Sequence, residues 1–305
     1  MKPTIFIFLI WLSSINSFAQ TFTSMRVRDP FILPDVLNRS YYLYVNNKPH
    51  IKLYESKDLI NWKDRGSVFT ADSKFWGKED FWAPDAFFYR GKYYLFITFS
   101  SQTALRGTSI LVADSAEGPF KPLVNKAVTP STWASLDGTL FIDENKQPWI
   151  LFCREWLEVK DGQIVAQKLS RNLKRTKGKA QVLFTAGEAP WVGSITANGI
   201  TGNVTDAPFL YKAKNGELLM LWSSFTKEGA YAIGVARSQS GKIAGPWKQD
   251  PKQLNTDDGG HAMIFKDFTK NLLISYHAPN SKIERPVLYK IKDEDGKLSI
   301  VKFTD

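Results

Sequence analysis

Cysteine is almost absent: Cys153 stands alone in 305 residues, so no intrachain disulfide can form and stability has to come from a packed core. It sits in the apolar run Trp149-Ile-Leu-Phe-Cys153, where a free thiol behaves as a small buried hydrophobe rather than a nucleophile. Beyond the N-terminal segment, apolar stretches are strand-length and interrupted by charge, which excludes a spanning helix. Apolar residues spaced i, i+3, i+4 and i+7 are nearly absent, which argues against a helical fold. No Pro/Ser linker or low-complexity tract divides the chain, and no nucleic-acid motif is present, so a single domain and no nucleic-acid partner are expected.

The N-terminus has its own character. Lys2, the apolar run Ile5 to Trp11 and the small-residue pattern Ser17-Phe18-Ala19 read as a secretory signal peptide over residues 1–19, leaving residues 20–305 as a secreted or periplasmic domain, expected to be monomeric. The formal charge of +10 is spread along the chain. A solvated basic exterior accounts for it, and such a balance would also favour an acidic polymer or an anionic surface.

What is abundant is repetition. RDPFILPDVLNRSYYLYV from Arg28, APDAFFYRGKYYLFIT from Ala83, LDGTLFIDENKQPWILFC from Leu136, TDAPFLYKAKNGELLMLWSS from Thr205 and GGHAMIFKDFTKNLLISYH from Gly259 each read as polar anchor, apolar strand, turn, apolar strand. The anchors Asp29, Asp85, Asp137, Asp206 and His261 are separated by 56, 52, 69 and 55 residues, a spacing that points to an all-β, five-bladed β-propeller. A second phrase, such as ADSAEGPFKPL from Ala113 and ARSQSGKIAGPWK from Ala236, marks the turn into an outer strand and places Glu117 far from the axis. If all five copies begin on one face, the five anchors converge at the mouth of the central channel, and Ser100, Glu155, Ser223 and His277 return to that face. An Asp before Pro or Gly is by itself a common turn residue. Several carboxylates gathered in one pocket are costly unless function rewards them, and paired carboxyl groups are what glycoside hydrolysis needs.

The segments RDPFI, WAPDAFFYRGKYYLF, LDGTLFIDENKQPW, DAPFLYK and DGGHAMIF resemble glycoside hydrolase family 43, the five-bladed arabinanases, arabinofuranosidases and xylosidases, along nearly the whole chain beyond the leader. The resemblance implies an inverting glycosidase acting on plant cell-wall glycans, with Asp29 as general base and Asp137 tuning the acid. The family's general acid is a Glu in a phrase like EAP, and Asp206 stands at that position; Glu188 in GEAPW and Glu155 are the alternatives. An exo-acting α-L-arabinofuranosidase is the leading expectation, with β-xylosidase, arabinanase, galactosidase or a glycan-binding propeller as alternatives. No cofactor is expected for the chemistry. The resemblance places His261 on the axis, where the family His often contacts a hydrated calcium ion or a water, a hydrogen-bonding role being the alternative for a single imidazole, and it places Arg285 near a substrate subsite. Phe31 and Trp82 are expected to stack on sugar rings and Asp85 to bind sugar hydroxyls. The stretch from Thr185 to Val204 departs most from the repeat spacing and is expected to wall the pocket.

Overall fold

The computed structural model describes residues 19–281 and 283–302; the leader expected at the N-terminus lies, but for its last residue, outside them. Five antiparallel sheets follow one another along the chain. Blade 1 contains Ile32–Asp35, Ser40–Asn47, His50–Ser56 and Asn61–Thr70, and blade 2 contains Glu79–Tyr89, Lys92–Ser101, Ala104–Ala113 and Lys121–Pro122. Blade 3 is Ser135–Ile142, Pro148–Arg154, Gln163–Leu169 and Thr176–Thr185, and blade 4 is Asp206–Lys212, Leu218–Phe225, Tyr231–Ser238 and Trp247–Gln249. Gly260–Lys266, Leu272–Ala278, Arg285–Glu294 and Lys297–Val301 make blade 5. The single α-helical segment among the described residues is one turn, Trp156–Val159. The five-bladed propeller expected from the repeat is the fold observed.

The second strand of each blade carries an apolar run such as Tyr93–Phe99 or Leu218–Trp222, because adjacent blades cover both of its faces. A strand buried on both sides loses the alternation that marks a half-exposed one. The core is accordingly divided among the interfaces between blades: Tyr94, Phe96, Ile150 and Phe152 join blades 2 and 3, and Leu219, Leu221, Ile264 and Ile274 join blades 4 and 5. Tight hairpins keep each meander short. Between Tyr89 and Lys92 the turn needs two consecutive left-handed residues, Arg90 at φ 50° and Gly91 at φ 82°, the conformation that a two-residue hairpin loop favours.

The inner strands share a backbone device at their starts. Asp29, Ala83, Asp137, Ala207 and His261 all have φ between 47° and 60°, and in blades 2 to 5 the ladder slips just past this kink. These positions are separated by 54, 54, 70 and 54 residues, so the true blade period is 54. The one long interval includes a hairpin, Ile195–Ala197 with Ile200–Gly202. It packs beside the turn Trp156–Val159, where Asn203 N donates to Lys160 O at 2.8 Å, and Gly193 N reaches Phe225 O at the end of blade 4's second strand at 2.9 Å. The insertion therefore lies on the face where the inner strands begin.

Among the described residues, blades 1 and 5 meet without sharing a strand. Gln20–Thr21 pairs with Asn61 and Trp62 on the outer edge of blade 1, while blade 5 is built wholly from the C-terminal strands. Side chains close the ring: Tyr41 stacks on Phe268 with centroids 4.3 Å apart, its hydroxyl accepts from Phe268 N at 2.8 Å, and Arg285 Nη1 donates to Ser24 O at 2.7 Å.

Candidate active site

The kink sorts the anchors by depth. Arg28, Trp82 and Asp206 stand one residue before it, Asp29, Asp137 and His261 at it, and Asp85 two residues after it. Exposure separates the outer residues, with Trp82 37% exposed, from the buried Asp29, Asp137, His261 and Asp85. Left-handed backbone is uncommon for residues other than glycine, although Asp and His are enriched there, and strain of this kind gathers at functional sites. The five anchors do meet at one mouth, but in three tiers rather than as one ring.

Four of the five kinked residues are held by the blade before them. Asp137 N donates to Thr98 Oγ1 at 2.9 Å, His261 N to Ser223 Oγ at 2.9 Å and Asp29 N to His277 Nδ1 at 3.3 Å. Thr98, Ser223 and His277 occupy equivalent second-strand positions, paired with Trp82, Asp206 and Gly260. In blade 3 that position is Cys153, paired with Leu136 and fully buried. Here the next blade finds a different acceptor, because Ala207 N donates to Asp137 Oδ2 at 3.0 Å.

The electrostatics separate the carboxyl groups. Burial pushes Asp29 upward, but His261 and His277 outweigh it and hold this carboxyl well below its ordinary value; the imidazole nitrogens lie 3.0 Å and 3.2 Å from Asp29 Oδ1. His261 is pulled down by burial and more strongly up by Asp29 and Asp137, reaching about 10. Asp206 is raised by burial and by the charge of Asp137 to about 7, even though Tyr231 OH donates to its Oδ2 at 2.8 Å. Burial raises Asp137 as well, with Asp29 adding to it, and burial raises Asp85 to about 7. One mouth thus holds an ionised carboxylate, Asp29, together with a carboxyl that stays protonated to near neutrality, Asp206. Such a split assigns acid and base roles in carboxylate chemistry.

The other expected residues are distributed differently. Glu155 returns to the mouth, is buried, and makes a close ion pair with Arg106, which also binds Asp80 at 3.0 Å and lies over the Trp82 ring at 4.2 Å. Burial raises Glu155 and Arg106 pulls it back in part. Ser100 joins this cluster through Asp80 Oδ2 at 2.6 Å. Glu188 stands apart: it is exposed, and its Oε1 caps a turn by accepting from Thr185 N at 3.0 Å, so it is no part of the carboxylate group. Phe31 is also displaced from its expected place. It lies below the carboxylates, packed on Phe87 and Phe209 at 5.1 and 6.2 Å and 5% exposed, which leaves no ring face for a sugar. Arg285 is spent on the closure at Ser24.

Beneath His261 the channel narrows to a cavity of about 10 Å³ lined by Phe31, Asp85, Asp137, Phe209 and Met263, room for a single water. No three His, Cys, Asp or Glu side chains converge with metal-ligand geometry among the described residues, and His261 Nδ1 faces Asp29. The described side chains therefore form no protein cage for a calcium ion.

A family model, Glycosyl hydrolases family 43, matches residues 18–295. The chain belongs to this family. A solved structure of the endo-arabinase from Bacteroides thetaiotaomicron VPI-5482 is 60% identical, covering 92% of this chain and all of that one at a TM-score of 0.91. The extracellular endo-alpha-(1->5)-L-arabinanase 1 of Bacillus subtilis (strain 168) is 26% identical over 225 residues, which are 69% of this chain and 63% of the relative, so the match spans less than two thirds of that protein's length. The extracellular exo-alpha-(1->5)-L-arabinofuranosidase ArbA of Cellvibrio japonicus (strain Ueda107) is 23% identical over 287 residues, 84% of this chain and 77% of the relative. Family 43 membership makes the chain a glycosidase that hydrolyses O-glycosyl bonds, and no helix among the described residues is long and apolar enough to cross a membrane.

Within this family 43 mouth, Tyr231, Arg28 and Arg106 escaped the reading of the repeats. Tyr231 and Arg106 come from the early part of third strands, ahead of the phrase that recurs at Ala113 and Ala236. Arg28 carried one signal, its place directly before Asp29, and its Nε lies 3.7 Å from Asp29 Oδ1. Gly260 also has a defined reason to be glycine, because a Cβ built there would overlap the Tyr231 ring.

Proposed function

We propose that the protein hydrolyses α-arabinan, with Asp206 as general acid, Asp29 as the general base that activates water, and Asp137 as the group that orients and tunes the acid. The observation that carries this reading is the split in protonation at one mouth: Asp29 ionised beside His261, and Asp206 protonated to about 7. Asp137 touches the acid's own strand through Ala207 N, so its charge raises Asp206 while its geometry fixes where that strand begins. An Asp replaces the family's Glu at position 206, shortening the acid by one methylene. The three-tier arrangement accommodates this, since Asp206 sits in the outer tier with Tyr231 fixing one oxygen and the other free to carry the proton. Inversion follows from the family resemblance.

The 60% identical endo-arabinase favours internal cleavage of the arabinan chain over the exo-acting arabinofuranosidase first expected, which the 23% identical ArbA supports. The extracellular relatives support a secreted enzyme. Trp82, exposed on the rim and stiffened by Arg106, is the aromatic face available to a sugar ring, and Glu155 stands beside it.

The test is hydrolysis of linear arabinan by wild type, Asp29→Asn, Asp206→Asn, Glu155→Gln and Glu188→Gln. Loss of general acid or base costs on the order of a hundredfold to ten-thousandfold, so the two Asp variants should fall that far while Glu188→Gln stays active. An active Asp206→Asn with an inactive Glu155→Gln would move the acid to blade 3. A ladder of oligomers early in the time course supports endo action, and arabinose alone supports exo.

A further inference from the structure

The inner strands are chemically polar along the axis. Asp206–Lys212 and Gly260–Lys266 begin among the carboxylates and end on lysines, and seven residues at about 3.3 Å each put those ends roughly 20 Å apart. At the far end, between blades 4 and 5, lies an open groove of about 600 Å³ walled by Lys212, Lys214, Lys266, Lys270, Lys290 and Lys292. All six are exposed, and none forms an ion pair among the described residues. The groove contains two acids, Asp293 and Glu294. Asp293 is buried and already engaged, accepting from Tyr211 OH and Lys214 N at 2.8 Å and from Gly296 N at 2.9 Å. Six like charges brought together repel one another, and among the described residues only Lys214 gains a favourable interaction inside the fold, with Asp293.

A second groove of about 880 Å³ adjoins the first at Lys212. Its wall includes Trp149, whose Nε1 donates to Asp143 Oδ2 at 2.9 Å and whose ring lies 5.3 Å from Lys168 Nζ. An aromatic plate fixed beside ammonium groups is suited to a sugar ring that bears negative charge.

We infer that this lysine face is a docking site for an acidic polysaccharide carrying carboxylate groups, at the opposite end of the axis from the cleavage site. Concave grooves with a ring platform fit a polymer strand, whereas a flat bilayer would meet only their rims. The ligating groups are lysines, single mobile charges that hold an irregular polyanion through exchangeable contacts rather than by a fixed two-pronged grip. Binding of this kind weakens as salt screens it. Because the site is far from the mouth, it leaves that mouth open, and a polymer held there would keep the enzyme near neutral branches that it can cut.

The experiment measures binding of oligogalacturonate, a linear uronic-acid chain, by calorimetry at low and physiological salt. Wild type is compared with a groove triple variant (Lys212→Glu, Lys266→Glu, Lys290→Glu), a control triple on other blades (Lys63→Glu, Lys126→Glu, Lys179→Glu), and single Lys266→Glu should a triple fail to fold. Wild type should bind in a salt-sensitive way, the groove triple should bind about tenfold more weakly, the effect of three screened charge contacts, and the control triple should match wild type. Absence of binding by wild type, an equal loss in both triples, or groove-dependent binding to phosphatidylglycerol vesicles with none to oligogalacturonate would overturn the inference. Hydrolysis of linear arabinan is followed in parallel, so a wrong substrate and a wrong docking site give different results.

Discussion

Replacing Tyr231 with Phe isolates the contact that sets the acid's protonation. The ring is fully buried, lies against His277 at 5.7 Å, and is kept in place by the absence of a side chain at Gly260, so the variant loses the hydroxyl and little else. Burial holds the Tyr231 hydroxyl well above its ordinary value, so it donates to Asp206 Oδ2 across the working range. A hydrogen bond to a charged group is worth about 1.5–3 kcal/mol, against about 0.5–1.5 kcal/mol to a neutral one. The difference, about 1 kcal/mol in favour of the carboxylate, corresponds to somewhat under one pKa unit. Without the hydroxyl, Asp206 should therefore rise from about 7 toward 8. The alkaline limb of kcat/KM on arabinan reports this group in the free enzyme. At pH 8 roughly a tenth of wild-type Asp206 is protonated and roughly a third of the variant's, so Tyr231→Phe should keep about three to four times more of its plateau rate there. The plateau itself should drop through the lost positioning of Asp206. An alkaline limb that stays in place or moves to lower pH would refute the assignment of both the acid and its tuning partner.

Three further perturbations address the support around the site. Gly260→Ala should cost most of the activity, because the new methyl drives the Tyr231 ring off Asp206; near-normal kcat would show that the ring can yield. Ser223→Ala leaves the buried His261 N–H without its acceptor and should lower unfolding free energy by about 1–3 kcal/mol, measured by urea denaturation. His261, raised in the fold from 6.5 to about 10, contributes stability that is whole below pH 6.5 and lost as pH rises through 10. The penalties on ionising Asp85 and Asp206 are largely complete just above 7, and the buried tyrosines begin to count only as pH nears about 10, so between about 7.5 and 9 His261 is the main source of the decline. Melting temperature should fall over that window by an amount reflecting about 2 kcal/mol, and a much flatter profile in His261→Gln would identify the source.

The architecture was legible because the second strand of every blade is sandwiched between neighbours and shows as a largely apolar run. The convergence of the five anchors on one mouth was legible, but not their register. Polar letters suggested that Asp85 and Asp206 repeat Asp29, whereas the backbone kink falls on Ala83 and Ala207, residues with no chemical signature. The two Asp residues are thereby shifted to a deeper and a shallower tier. Glu188 shows the converse: the same tripeptide that marks the family's acid serves here as a turn cap, since a carboxylate near free backbone N–H groups is useful wherever a turn begins. Arg106 and Tyr231 were hidden because a side chain on a third strand reaches the mouth through three-dimensional packing, which leaves no periodic trace.

The missing strand exchange between blades 1 and 5 has a consequence for how ligand and fold communicate. The line along which the two ends of the chain meet passes through the mouth, with Asp29 on one side and His261 and His277 on the other. Asp29, its counter-ion His261 and the neighbouring His277 ring are therefore a clasp as well as a chemical group. A sugar seated across that line binds only the closed ring, and by mass action it holds the ring shut in proportion to its occupancy. Substrate should thus act as a suture at this join, and slower proteolysis near Arg26 or Asn280 would report occupancy of the mouth even by a ligand that is not hydrolysed.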